Sequence, residues 1–442
     1  MVHIVIIGNG ISGITAARHI RKRSDHKITV ISAESDHFYS RTALMYIYMG
    51  HMRYEHTKPY EDYFWKKNKI DLIRDFVEKV DSDQKQLQLR SGKVQKYDVL
   101  ILAVGSKFNK FGWPGQDLEG VQGLINLQDL ELMEQNTKGI KKAVIVGGGL
   151  IGIEMAEMLR TRNIEVTMLV REQNYWDNVL PPEEAKMVNR EIREHGVELK
   201  LKNELKEILG GPDGKVRGVV SASGENIDCE FVGITAGVSP NISLLKSSNI
   251  NTEAGILVNE FFETNIKDVY AIGDCAQFIN PPEGRNKIEQ VWYTGRMHGE
   301  TLALTLCGEK IAYQPGPWFN SAKFFNIEYQ VYGQVFPQKT DNEEHLYWEH
   351  EKEKKSLRIV YKKEDKVVTG INLMGIRFRH EVCDRWLRSK ATIYKVISEL
   401  KEANFDPEFH KKYEEQIIRE FNILPAPDQP HSKKRKKILG LF

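Results

Sequence analysis

Gly8-Asn9-Gly10-Ile11-Ser12-Gly13 and Gly147-Gly148-Gly149-Leu150-Ile151-Gly152 carry one glycine pattern twice, and their surroundings decide the fold. Each follows a short apolar run, Val2 to Ile7 and Ala143 to Val146, and each opens onto a helix-compatible stretch. Strand, tight turn and helix in that order give such a pattern its meaning. The first glycine permits the turn, the second lets backbone approach a pyrophosphate, and the third lets helix pack on strand. Free N–H groups and the dipole at the helix N-terminus then favour phosphate charge. One such hexapeptide is a weak signal, because glycine-rich turns are common. Two in context imply two dinucleotides on one chain, and a protein that holds two usually passes electrons between them.

Working outward, a helix is expected over 11–23 and a second strand over 27–32. Glu34 follows Gly13 at about 20 residues, the spacing of an acid that grips a ribose diol. Asp98 to Val104 reads as an apolar strand ending in Gly105-Ser106, and Trp113-Pro114-Gly115 then breaks the chain. A second strand–helix–strand unit spans 142–170. Phe231 to Ala236 is a strand ending in Gly237, and Val269 to Ile272 leads into Gly273-Asp274. A helix begins near Ile288 and runs to about Leu306. Past Pro315-Gly316-Pro317, strand-like segments (327–336, 345–349, 356–362, 366–374) precede helical stretches (379–389, 391–402, 407–421), which reads as a separate α+β domain. Glu343 to Lys355 reads as a charge-dense, solvated loop or hairpin.

With 442 residues the chain fits two or three domains rather than one core. Lys+Arg of 63 against Asp+Glu of 61 leaves no global field that would favour nucleic acid. The four cysteines, Cys229, Cys275, Cys307 and Cys383, form no CxxC, so neither a disulfide framework nor a zinc pattern is present and no metal site is expected. That usage suits a reducing cytoplasm. The N-terminal apolar run is too short for a signal segment, and no stretch approaches the roughly 20 residues of a membrane span. A soluble cytoplasmic protein is expected, with monomer and dimer both open.

These residues resemble the pyridine nucleotide–disulfide oxidoreductase superfamily of two-dinucleotide flavoproteins. Beyond the fingerprints, the resemblance rests on Leu102-Ala103-Val104-Gly105-Ser106, Trp113-Pro114-Gly115, Thr235-Ala236-Gly237-Val238-Ser239-Pro240-Asn241 and Tyr270-Ala271-Ile272-Gly273-Asp274-Cys275-Ala276. It implies an α/β fold of two Rossmann-like domains, with an FAD domain (1–112 and 238–312) split by an NAD(P) domain (113–237). A C-terminal α+β interface domain (313–425) and a basic tail (426–442) follow.

The same resemblance implies site residues. Gly8, Gly10, Ile11, Ser12, Gly13, Glu34, Arg41, Thr42, Ala103, Gly105, Gly273 and Asp274 would hold FAD. Glu289, Val291 and Trp292 open the helix whose N-terminus faces the flavin, where free N–H groups stabilise negative charge on the reduced ring. Gly147, Gly149, Leu150, Ile151, Gly152, Val170, Arg171 and Gly237 would hold the nicotinamide nucleotide. Glu154 is expected beside both rings, with Tyr46 in the place of the lysine that pairs with this glutamate in ferredoxin reductases. At the station of an NADH-specifying acid stands Val170, followed by Arg171, so a modest preference for NADPH over NADH is expected, tempered by Glu172.

Thr42 stands where the family's single redox cysteine falls, and no thiol precedes residue 229. Electrons therefore do not leave through a disulfide in that region, and Cys275 is expected to be a packed small residue. The thiol-less branch of the family includes ferredoxin and rubredoxin reductases. Pro317-Trp318-Phe319-Asn320-Ser321-Ala322 echoes their Phe-Trp-Ser-Asp segment, with Asn320 in place of its tryptophan. The expected function is an FAD-dependent NAD(P)H oxidoreductase that feeds a small redox carrier such as ferredoxin or rubredoxin. The alternatives are a nucleotide-sensing flavoprotein of apoptosis-inducing-factor type and a quinone-reducing dehydrogenase. The terminal Lys433-Lys434-Arg435-Lys436-Lys437 run is suited to an anionic membrane surface, an acidic partner, or solvent alone.

Overall fold

The computed structural model describes residues 2–406, 408 and 411–423. The basic tail and part of the stretch expected to be helical over 407–421 lie outside them. Two parallel sheets and one antiparallel sheet organise the chain.

The first sheet runs Val269–Ala271, Val99–Leu102, His3–Ile7, Lys27–Ser32, Ile70–Arg74, all parallel. Its central strand, His-Ile-Val-Ile-Ile, is β-branched and buried, as expected of a strand covered on both faces. The second sheet runs Val197–Leu201, Glu165–Val170, Lys142–Val146, Phe231–Ile234, Val121–Gln122, again parallel. Each fingerprint sits at the carboxyl end of a central strand, where open α/β sheets hold ligands. Val238–Pro240 pairs with Ser106–Phe108 in a two-stranded antiparallel ladder beside both sheets.

The helix Ile11–Arg23 packs against the helix Trp292–Leu306. Glycines permit the close crossing: a Cβ on Gly295 would lie 2.6 Å from Ser12 Oγ, and one on Gly299 2.6 Å from Ser12 O. The long helix starts at Trp292, not near Ile288: residues 288–291 lie outside it, and Val291 at its N-cap is extended.

The third sheet is antiparallel, in the order Phe319–Phe324, Ile327–Gly333, Val368–Met374, Ser356–Lys362, Glu343–Glu349. Three helices, His380–Arg388, Ile393–Ser398 and Glu414–Ile423, accompany it. Phe319–Phe324 was not expected as a strand, since its sequence alternates weakly. The segment 343–355 is a hairpin arm, as one reading allowed, but it is not a solvated insertion. Leu346 and Trp348 point into the core, and the charges alternate outward on the other face.

Those charges meet the helix Pro182–Glu194 of the second unit across an ionic face. Arg358 forks onto buried Glu184 through Nε and Nη2, both at 2.8 Å, and Nη2 reaches Glu183 at 2.7 Å. Asn372 donates to the same Glu184 carboxylate at 3.3 Å. Lys354 binds Glu191 and Glu194, and Arg190 binds Glu349. An apolar cluster continues beneath, joining Ile153 and Met187 of the second unit to Phe324, Tyr329 and Val331 of the third sheet.

Candidate functional site: a two-nucleotide cleft

One cleft of about 1220 Å³ runs between the two parallel sheets and the third. Gly10, Ile11 and Ser12 line one end, and Gly147, Gly149, Leu150 and Ile151 line the other. Arg41, Thr42, Ala103, Gly105, Asp274, Glu289, Val291 and Trp292 line the wall near the first turn. Glu154, Arg171 and Gly237 line it near the second.

The two turns fit phosphate by their geometry. Gly10 and Gly149 are the residues capping the two fingerprint helices, and neither helix has an acid in its first turn. A Cβ on Gly149 would meet nothing within 4 Å, and one on Gly10 only Arg41 Nη1 at 3.8 Å. Open space thus adjoins both helix starts, where the first N–H groups of a helix have no intrahelical partner, which suits an anion. The other fingerprint glycines work from behind the wall. A Cβ on Gly8 would lie 2.1 Å from Ala103 O, one on Gly13 2.1 Å from Gly8 O, and one on Gly152 2.8 Å from Thr235 Oγ1. Gly273, at φ +76, would meet Ser12 Oγ at 2.2 Å. These four set the turns and are not among the residues that line the cleft.

Asp274 faces the cleft and accepts from Ser106 Oγ at 3.1 Å, and Ser106 Oγ accepts from Gln290 Nε2 at 2.8 Å. Burial raises the Asp274 pKa above the usual carboxylate range, while the Ser106 hydroxyl and Arg41 pull it down. A carboxylate placed so is an acceptor for a hydroxyl-bearing ligand such as the ribityl chain of FAD. Glu34 does not present a free carboxylate. It binds Arg41 and the Tyr39 hydroxyl and accepts from the Leu127 N–H at 3.2 Å, so it holds Arg41 over the first turn. Glu289 is likewise spoken for. Its oxygens accept from Arg285 Nε at 2.6 Å, Arg285 Nη2 at 2.5 Å and Thr294 Oγ1 at 3.0 Å. That bonding tethers the segment just before the long helix to Arg285 on one side and Thr294 on the other.

At the second turn, Val170 is wholly buried and cannot meet a ribose. Its side chain packs beneath Gly148, 2.9 Å from where a Cβ there would stand. The next two residues reach outward. Arg171 Nε binds Glu172 Oε1 at 2.7 Å, with Arg171 71% exposed and Glu172 25%. Glu172 Oε2 lies 3.7 Å from the same Cβ position, over the glycine turn, and Glu204 also lines the cleft. Glu154 is half-buried in the wall one turn into the helix. Burial, and then the Glu157 carboxylate, push its pKa up to about 7. Lys323 of the third sheet is taken by Glu157 at 2.8 Å, and among the described residues no cation pairs Glu154. Tyr46 does not fill that role. Its neighbours Leu44 and Met45 face the cleft, while Tyr46 turns away and stacks on His51 at 6.1 Å.

No cysteine lines the cleft among the described residues. Cys275 is fully buried, and burial raises its thiol to about 12, as suits a packed residue. The sequence left unassigned Trp176, Tyr329 and Val331, which also line the cleft. Trp176 packs on Phe324 and Tyr329 at 5.4 Å each, a contact between distant segments that no local motif announces. Glu172 was visible beside Arg171, but only the geometry shows which of the two faces the turn.

A doubly wound α/β protein with two dinucleotide turns opening on one thiol-free cleft is a nicotinamide–flavin oxidoreductase by class. The chain belongs to the pyridine nucleotide-disulphide oxidoreductase family, whose model matches residues 2–299, and it works with FAD and NAD(P)H. It is 30% identical over 277 residues to the Bacillus subtilis nitrite reductase [NAD(P)H], a match covering 62% of this chain and 34% of that protein. The chain therefore spans about a third of that relative's length. It is 30% identical over 283 residues to the rubredoxin-NAD(+) reductase of Acinetobacter baylyi, covering 62% of this chain and 72% of that one. The ferredoxin reductase for the CYP199A2 system from Rhodopseudomonas palustris superposes with a TM-score of 0.77 at 24% identity. That match covers 84% of this chain and 91% of the other, and it shows the shared fold. No helix among the described residues is long and apolar enough to cross a membrane.

Proposed function

We propose that this chain is an NADH-dependent reductase of a small electron carrier, of ferredoxin or rubredoxin kind. The observation that carries this reading is the single cleft joining two helix N-termini, with no thiol along it to divert electrons. Bound FAD supplies the chemistry, taking electrons in pairs as hydride and releasing them singly. The protein's part is placement. The Gly10 and Gly149 turns hold the two pyrophosphates, Arg41, kept in place by Glu34, adds charge at the first, and Asp274 accepts from the ribityl chain. The start of the helix at Trp292 directs its N–H groups at the ring edge where negative charge grows. Glu154, unpaired in the wall, can hold or yield a proton near neutral pH.

NADH is preferred here over the NADPH that Arg171 suggested, because Glu172 both occupies Arg171 and lies over the turn. Residues 1–112 with 238–312 form the FAD unit in this reading, 113–237 the nucleotide unit and 313–425 the carrier-facing unit. In this reading the protein works in a reducing cytoplasm, which its four free cysteines suit. The test is anaerobic: reduce the purified protein with NADH, then offer ferredoxin, rubredoxin, a quinone and oxygen. Fast reoxidation by a carrier protein supports the proposal, and rapid turnover only with quinone or oxygen overturns it.

A further inference from the structure

His298 lies on the inner face of the long helix Trp292–Leu306, two turns past the residues that line the cleft. It is 2% exposed and boxed by Phe262, Phe278 and Tyr313, with ring centroids at 4.8, 5.6 and 4.6 Å. In that box it makes one polar contact. Nδ1 accepts from the Gly273 N–H at 3.1 Å, and Nε2 has no partner. The Gly273 amide can only donate, so Nδ1 must be the bare nitrogen and Nε2 carries the proton. Burial, and then the Arg285 guanidinium beside it, hold the imidazole pKa down to about 3, so the ring keeps that tautomer.

The bond falls on a sensitive point. Gly273 has φ +76 and begins the 3-10 turn Gly273–Cys275 that presents Asp274 to the cleft. On its other side Gly273 abuts Ser12 at the start of the first fingerprint helix. One amide thus sits between the phosphate turn and the acid expected to hold the ribityl chain, and a histidine from a third element fixes it. We propose that His298 is a positioning residue for the flavin site, setting the Gly273–Asp274 turn through the Gly273 amide. The inference rests on the FAD reading above.

The test separates positioning from packing. His298→Gln keeps an acceptor for the amide, His298→Leu removes it, and Phe278→Leu loosens the same aromatic box without touching Gly273. FAD affinity of each apoprotein is measured by flavin fluorescence quenching, beside its thermal midpoint without FAD. A buried donor left bare should loosen FAD by about tenfold or more in His298→Leu. His298→Gln should stay within about threefold of wild type, and Phe278→Leu should lose thermal stability with little change in FAD affinity. Losses of affinity in His298→Leu and Phe278→Leu that simply track their losses of midpoint would overturn the proposal. Should His298→Leu not fold, ¹⁵N-histidine spectra of wild type decide instead. A pyridine-like Nδ1 with protonated Nε2 supports the assignment, and a protonated Nδ1 sinks it. Wild type that binds no FAD would end the flavin reading itself, a result distinct from any variant's behaviour.

Discussion

Replacing Glu172 by serine should turn this protein toward NADPH. Glu172 Oε2 lies 3.7 Å from a Cβ position on Gly148, and in the proposed reading it would act twice, as an acceptor for the adenosine ribose diol and as a charge facing any 2′-phosphate. A hydrogen bond to a charged group contributes about 1.5–3 kcal/mol. Two unit charges 4 Å apart repel by about 1 kcal/mol in water and about 4 at an effective dielectric of 20. Glu172 is a quarter exposed and its neighbour Arg171 is mostly in solvent, so the lower end of both ranges applies. A sum of about 2–3 kcal/mol corresponds to wild type favouring NADH by roughly 30- to 150-fold in kcat/KM. Glu172→Ser removes both effects and frees the Arg171 guanidinium, so that ratio should fall by about 30-fold or more. Arg171→Met alone should change it little, since that side chain is committed to Glu172. Anaerobic stopped-flow reduction of the flavin at subsaturating NADH and NADPH measures the ratio directly. Wild type reduced faster by NADPH, or a ratio unmoved in Glu172→Ser, would refute the reasoning and restore Arg171 as the determinant.

Glu154 gives a pH signature of opposite sign to that of a salt-bridged acid. Its folded pKa is raised to about 7 from 4.5, so its contribution to stability is whole below the unfolded value and lost as pH rises through the folded one. The thermal midpoint of Glu154→Gln minus that of wild type should therefore grow between pH 5 and pH 8, and a flat difference would count against the half-buried, unpaired carboxylate. Arg358→Met strands buried Glu184 and should cost about 3–5 kcal/mol by denaturant unfolding, whereas Arg358→Met with Glu184→Gln should recover most of it. A thiol-reactive dye should label Cys307 in folded protein far ahead of Cys229, Cys275 and Cys383, all three buried, and labelling should leave flavin reduction by NADH intact.

The parts of this protein that a local pattern can announce were legible in its sequence. Both fingerprints, the strands 27–32 and 142–146 and the helix 11–23 fall where glycine spacing and apolar runs put them, because those constraints act within a few residues. What failed was set by side-chain geometry and tertiary contacts that an apolar pattern does not carry. Ile288–Val291 looks helical, yet the helix begins only at Trp292, after an extended Val291. The charged stretch at 343–355 looks solvated until the helix Pro182–Glu194 supplies its counter-charges. Tyr46 seemed a substitute for a missing lysine, yet one residue of helical phase turns it to the other side from Met45. Val170 and Glu172 differ by two places, and only the end of the strand decides which side chain leaves the core.

The ionic face between Pro182–Glu194 and the third sheet also restricts how the cleft can open. With Arg358 forked onto a buried glutamate and an apolar cluster beneath, prising those two units apart would strand charge in the interior. The first unit is tied to the second by more than the three-pair ladder of Ser106–Phe108 with Val238–Pro240, because Tyr39, Leu44, Met45 and Tyr48 pack into that same apolar cluster. A nucleotide at the second turn would therefore rest on a floor braced from two sides, and widening the cleft there would have to part that shared core as well.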